Sequence, residues 1–170
     1  MSGDLLSNRA LNRATLARQL LLDRSTTAPL DAVEHLVGLQ AQNPLDPYLA
    51  LWSRLDGFDP HTVGRLVEDR SLVRIVVMRS TIHLVTADDA LLLRPITQPV
   101  ATMEIARHPE YAPQLVGIDM EPVLAYAHPL LTETPMSGRK LREALAERFP
   151  DLPAAAIAYA CRCYLPLVQI

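Results

Sequence analysis

Leu72-Val73-Arg74-Ile75-Val76-Val77-Met78-Arg79-Ser80-Thr81-Ile82-His83-Leu84-Val85 is the stretch in which the periodicity of this chain changes. Upstream, apolar residues recur at three- and four-residue steps. Here the period falls to two and β-branched residues dominate, which predicts strands over 72–78 and 81–85. Arg79 and Ser80 alone are left between them, so a tight hairpin is expected although neither residue is glycine.

Working outward, residues 8–23 read as a helix, with Ala10, Leu11, Ala14, Ala17, Leu20 and Leu21 on one stripe and Arg9, Arg13 and Arg24 off it. Ser7 or Asn8 can cap it. Pro29 suits the first turn of a second helix through Leu30, Val33, Leu36 and Val37, expected to end at Gln40-Ala41-Gln42. Pro47 opens a third helix, and Asp59-Pro60 is a compact start signal for a fourth over 60–69. Thr86 with Asp89 resembles a capping box for a long helix carrying Pro95 and Pro99. After a linker at 107–113, Asp119, Ser137 and Pro153 each mark a further helix, and residues 167–170 read as a strand.

Three helices followed by a hairpin is the order of a winged helix. The fold class is therefore mainly α with a small β-hairpin (α+β), as tandem winged-helix domains of which the second is incomplete. Residues 1–109 form the first domain with its following long helix, and 110–170 the second, which stops before its wing. A final strand without a partner implies an N-terminal fragment of something longer. The 60–69 helix takes the recognition position, where Arg65 and Arg70 are set against Glu68 and Asp69.

The 170 residues, 49 % apolar and 5 % aromatic, suit helices packed on helices. No run approaches the roughly 18 apolar residues of a membrane helix, and the N-terminus lacks a signal-peptide layout, so a cytoplasmic protein is expected. Cys161 and Cys163 have no histidine at metal-ligand spacing and point apart on a helix. They read as buried thiols, and no metal or cofactor is expected. The net charge is −3 and Lys140 is the only lysine. Net charge is a poor guide when the basic residues gather on one side.

Gln40 and Gln42 stand at a helix exit just before two prolines. Glutamine donates and accepts hydrogen bonds without titrating, so such a pair can fix a water or a base edge; ordinary helix-exit residues are the alternative. If the second strand is regular, Arg79, Thr81 and His83 share one face. That face either meets phosphate or the glutamines, or is simply solvated.

Asn12-Arg13-Ala14, Arg18-Gln19-Leu20-Leu21-Leu22, His35-Leu36-Val37-Gly38-Leu39-Gln40-Ala41-Gln42, Leu51-Trp52-Ser53-Arg54-Leu55 and Met78-Arg79-Ser80-Thr81-Ile82-His83-Leu84-Val85 together resemble the bacterial winged-helix DNA glycosylases of the AlkZ/YcaQ type. The resemblance implies tandem winged helices in a protein that holds duplex DNA. Gln40 and Gln42 match the Gln-x-Gln motif of the AlkZ-like branch, while the glycine that follows the family's arginine is Ser80 here. The implied activity is hydrolysis of the N-glycosidic bond of alkylated purines, chiefly N7-alkylguanine and cross-linked adducts. Gln40 and Gln42 would position water, and Arg79, Thr81, His83, Arg65 and Arg13 would contact double-stranded DNA, in a protein expected to be monomeric. The alternative is a non-catalytic winged-helix DNA-binding or regulatory module, which predicts tight binding of undamaged DNA and a basic recognition helix. A helical domain for binding a partner would instead scatter its arginines over all faces.

Overall fold

The computed structural model describes residues 6–169. Its elements run α1 (Asn8–Arg18), α2 (Pro29–His35), β1 (Leu39–Gln40), α3 (Asp46–Trp52), α4 (Pro60–Glu68), β2 (Leu72–Val76) and β3 (Ile82–Thr86), then α5 (Ala87–Arg107), α6 (Glu121–Glu133), α7 (Gly138–Arg148), α8 (Ala154–Tyr164) and β4 (Val168–Gln169). The fold is thus mainly helical with a small antiparallel sheet in the order β1-β3-β2-β4. It follows the winged-helix order of helices and then a hairpin, and the sequence of three helices and a strand recurs in α6, α7, α8 and β4. Among the described residues, no helix is long and apolar enough to cross a membrane.

Helix starts follow the capping residues. Ser7 accepts from the Ala10 N–H (3.2 Å), Asp59 from His61 (3.0 Å), Thr86 from Asp89 (3.1 Å), Asp119 from Glu121 (3.0 Å) and Ser137 from Lys140 (3.3 Å). Each satisfies an N–H that the helix itself leaves without an acceptor. Pro29 and Pro60 occupy the first position of α2 and α4, where a missing N–H costs nothing. The long helix α5 runs as one element through Pro95 and Pro99.

Two helix ends depart from the expectations. The first helix stops at Arg18, not 23, because Leu20 takes a left-handed backbone (φ 54°) and the Leu21 N–H turns back to the Leu16 carbonyl at 2.8 Å. None of its residues is buried, so the expected apolar stripe of 8–23 is not a core face among the described residues. The second helix stops at His35, short of the glutamines. Val37 (φ 58°) and Gly38 (φ 108°) reverse the chain, and the Gly38 N–H closes on the Val33 carbonyl at 2.9 Å.

Strand β2 stops two residues short of the expected 72–78, and β3 begins one residue later than expected. The connection between β2 and β3 spans residues 77–81 and contains a 3₁₀ turn at Met78–Ser80, in place of a two-residue hairpin loop. At the other end, β4 has a partner after all: it pairs antiparallel with β2, Gln169 opposite Arg74 and Val168 opposite Ile75. The expectation of an unpaired final strand is therefore corrected, since a strand 90 or so residues earlier leaves no local trace of the pairing. Ile170, which that expectation included, lies outside the described residues.

By its internal contacts the chain forms two units, Met1–Val73 with His83–Asp89 and Arg74–Ile82 with Ala90–Ile170. The first buries Val33, Leu51, Leu55, Val63, Leu72, Leu84 and Val85. The second packs α6, α7 and α8 around Val123, Ala127, Leu141, Leu145, Ile157, Cys161 and Leu165. Its α5 sends a buried cation to the end of α8: Arg94 Nη2 donates to the Cys163 carbonyl (2.8 Å) and the Leu165 carbonyl (3.2 Å), and Gln98 Nε2 donates to the same Cys163 carbonyl (3.1 Å). A positive group at a helix C-terminus meets carbonyls that no helical N–H can reach.

Two predictions follow from this packing. A Cβ added at Gly38 would lie 2.6 Å from Val85 Cγ1 and 3.1 Å from the Leu84 carbonyl oxygen. With the left-handed φ added to that overlap, Gly38→Ala is expected to cost about 3 kcal/mol in urea unfolding, and a loss under about 0.5 kcal/mol would refute the close approach. Cys161 and Cys163 are free and buried, and burial pushes each thiol up to about 11. Maleimide at pH 8 should leave both unlabelled in the folded protein and modify both in guanidinium.

Candidate functional site

The left-handed step at Val37 and Gly38 sets the chain antiparallel to β3 for two residues, with Leu39 opposite Leu84 and Gln40 opposite His83. Leu39 and Leu84 are both core residues. Gln40 is exposed, Ala41 is wholly buried and Gln42 is exposed again. The segment is then fixed by a side-chain turn in which Asn43 Oδ1 accepts from the Leu45 N–H at 3.1 Å, while the Asp46 N–H reaches the Asn43 carbonyl at 3.2 Å. Helix α3 begins at once and packs against β1. What was expected to be a helix exit is thus a short strand, an anchored turn and a new helix.

His83 is the residue that the fold brings to Gln40. It is 5 % exposed, whereas Gln40 opposite it is open to solvent. Directly opposed residues of an antiparallel pair project to one side of the sheet. The buried His83 is thus the residue paired across the strands with the exposed Gln40. Among the described residues no three His, Cys, Asp or Glu side chains gather as a metal site would require.

Helix α3 and its N-cap residue Leu45 also present Leu45, Leu49 and Trp52 to solvent at helical spacing, and the Arg24 guanidinium lies over the Trp52 ring at 4.8 Å. Beyond it, Tyr48 and the α4 residues Pro60, His61, Gly64, Arg65 and Glu68 line an open cleft of about 450 Å³. Arg65 donates to Thr62 Oγ1 (2.9 Å) and stands 3.9 Å from Asp59. That ion pair is exposed and long, so it holds the guanidinium only weakly. The His61 backbone N–H keeps the Asp59 carboxyl below its ordinary range, with further help from Thr62. Arg13 is exposed on α1.

Arg79 and Thr81 belong to the second unit. The regular strand begins only at Ile82, so Arg79, Thr81 and His83 do not form one strand face. Arg79 is exposed in the turn with φ 54°, and Thr81 is half-buried with its hydroxyl donating to the Met78 carbonyl at 3.1 Å. A second polar group of this unit has no counterpart in the sequence-based expectations. Glu104 of α5 accepts from the Tyr159 hydroxyl and from Arg162 Nη2 (3.0 Å), and Arg162 also donates to the Tyr159 oxygen (2.9 Å). Nothing in the linear order signals a cluster whose members are 55 and 58 positions apart.

With this geometry in view, comparison with known proteins gives two findings. A family model described as DNA glycosylase AlkZ-like matches residues 33–170. The fold is similar to that of the Streptomyces sahachiroi DNA glycosylase AlkZ, with a TM-score of 0.69 at 21 % identity, over 88 % of this chain and 42 % of that one. The chain thus spans less than half the length of that structure. No curated protein matches it.

Proposed function

Because the chain belongs to the AlkZ-like DNA glycosylases, we propose that it carries the water-positioning part of an enzyme that hydrolyses the N-glycosidic bond of alkylated purines in duplex DNA, chiefly N7-alkylguanine. The observation that carries the reading is the pair of exposed amides at Gln40 and Gln42 on either side of the fully buried Ala41. A purine alkylated at N7 already bears a positive charge. When its bond to C1′ breaks, it takes the bonding electrons and leaves neutral, so no acid is required. The sugar is left as an oxocarbenium-like centre, to which water adds through oxygen before losing a proton to solvent.

An enzyme for this step has to hold that water in line with C1′ and leave the developing cation unopposed by positive charge. Neutral amides do both. They accept and donate hydrogen bonds and add no charge of their own. His83, buried behind Gln40, acts on this reading through the strand pairing and not by touching DNA. Arg13, Arg65, Arg79 and Thr81 are the backbone contacts, and phosphate contacts set register without reading sequence.

The test is release of N7-methylguanine from methylated duplex DNA. The Gln40→Ala, Gln42→Ala double variant should excise at least about 100-fold more slowly, the scale seen when one positioned polar group is removed from a reaction centre. Its affinity for DNA should stay within about threefold, because neither amide is a phosphate contact. A double variant that excises at the wild-type rate would remove both glutamines from the mechanism. No release by the wild type, together with tight binding of undamaged DNA, would instead favour a non-catalytic binding module.

A further inference from the structure

Helix α3 has only seven residues, yet with its N-cap it leaves three large apolar side chains in water. Leu45, Leu49 and Trp52 are 65, 64 and 55 % exposed. Spacings of four and three residues set them on one face, and at about 1.5 Å of rise per residue the stripe is about 10 Å long. The opposite face gives Pro47 and Leu51 to the core. The stripe is therefore the outward face of a helix that is anchored at its back.

Two cations border this stripe. The Arg24 guanidinium, 4.8 Å from the centre of the Trp52 ring, is exposed and has no carboxylate within ion-pair distance among the described residues. Tyr48 stands three residues after Leu45 and four before Trp52, so it adjoins the stripe, and it also lines the open cleft that holds the loosely paired Arg65. The surface is apolar and aromatic along its middle, with positive charge at its margins. Bases about 3.4 Å apart between phosphate chains present the complementary pattern, and the length of the stripe matches about three such steps. A protein partner fits less well. Three side chains of this size expose on the order of 400 Å², about half of what each side of a stable protein interface buries. The surface also adjoins the glutamines: the three residues from Gln42 to Leu45 span at most about 11 Å, and the Asn43 turn fixes that span through the Leu45 and Asp46 N–H groups.

We propose that this face of α3 is a wedge for the base stack: Leu49 and Trp52 enter the step laid open at the alkylated base, and Arg24 and Arg65 take the flanking phosphates. The inference rests on the reading of the chain as acting on damaged duplex DNA and goes beyond it by naming the surface that enters the stack. Apolar and aromatic side chains inserted at a base step replace part of the stacking that the opened step has lost, which lowers the cost of holding the lesion open beside the glutamines.

Trp52 is the only tryptophan of the chain, so its emission reports the contact directly. The probe is a duplex with one tetrahydrofuran abasic analogue, an opened step with no base to release, beside the same duplex with every base in place. At saturation with the abasic duplex, Trp52 emission should fall by about half or more, because stacked bases quench the indole. In anisotropy, Trp52→Ala and Leu49→Ala should each weaken binding of the abasic duplex about tenfold and of the intact duplex less than about threefold, while Trp52→Phe stays within about threefold on both. Leu49→Ala keeps the question open to measurement even if Trp52→Ala folds poorly. Unchanged emission at saturation, or equal losses on the two duplexes, would overturn the wedge. Release of N7-methylguanine by a protein whose Trp52 emission does not respond would overturn it while leaving the proposed activity standing. Quenching without release would support the wedge and remove the activity. A concentration-dependent rise in mass that Trp52→Ala abolishes would make a second copy the occupant and overturn the wedge as well.

Discussion

The position of Gln40 depends on a backbone approach that glycine alone allows. At Gly38 the chain leaving α2 passes so close to β3 that any Cβ would overlap Val85 and crowd the Leu84 carbonyl. Without that approach Leu39 could not reach its place opposite Leu84, and the two-residue strand would have no partner. A strand of two residues has little stability of its own. Here it is held at one end by the closed turn from α2 and at the other by the Asn43 turn that launches α3. The glutamines therefore owe their exposure to constraints on the residues around them. Ala41 between them is wholly buried and anchors the segment to the core.

The same conformational region recurs where glycine is absent. Leu20, Val37, Arg70, Arg79 and Ser80 all have positive φ. Three of them close helices: Leu20 follows α1, Val37 follows α2 and Arg70 follows α4. The chain has 6 glycines and 14 prolines, so most of its helix ends cannot use the residue that makes a left-handed cap cheapest. At Leu20, Val37 and Arg70 the cost, about 1 to 2 kcal/mol each, is offset by a hydrogen bond that returns a carbonyl to a donor. In the 77–81 turn the two left-handed residues are adjacent, and bonds from the Ser80 N–H to the Val77 carbonyl and from the Thr81 N–H to the Met78 carbonyl close it.

These features also explain what the sequence could and could not convey. Helix starts were legible, because Ser7, Asp59, Thr86, Asp119 and Ser137 act on N–H groups two or three residues away, and Pro29 and Pro60 fix φ at their own positions. The ends of the first two helices were not, since a leucine or a valine in the left-handed region looks like any other. The winged-helix order was legible from the switch in period at Leu72. The partner of β4 and the length of the 77–81 connection were not, because strand pairing and turn geometry depend on what packs around them. Of the candidate site, the glutamine pair stood out by spacing and by resemblance. The pairing of Gln40 with His83 needed the register, and the Glu104 cluster needed three dimensions.

Arginine has two roles in this chain, and separating them changes what the charge means. Arg54 donates to the Gln19 and Ala50 carbonyls, each at 2.8 Å, and Arg94 to those of Cys163 and Leu165. Burial lowers the pKa of both guanidinium groups, yet arginine starts so high that they stay charged. These cations serve the backbone and offer little to a ligand. Arg13, Arg65 and Arg79 are exposed instead. The acidic residues divide in a similar way. Asp59 and Asp69, which flank α4, are each held below the ordinary range chiefly by a backbone N–H, from His61 and from Ser71. Asp59 also faces the positive end of its own helix, where a carboxylate is partly neutralised. A net charge of −3 counts all of these groups alike. Next to α4, where the exposed Arg65 is only loosely paired and Asp59 is committed to the helix start, it overstates the repulsion that a phosphate would meet.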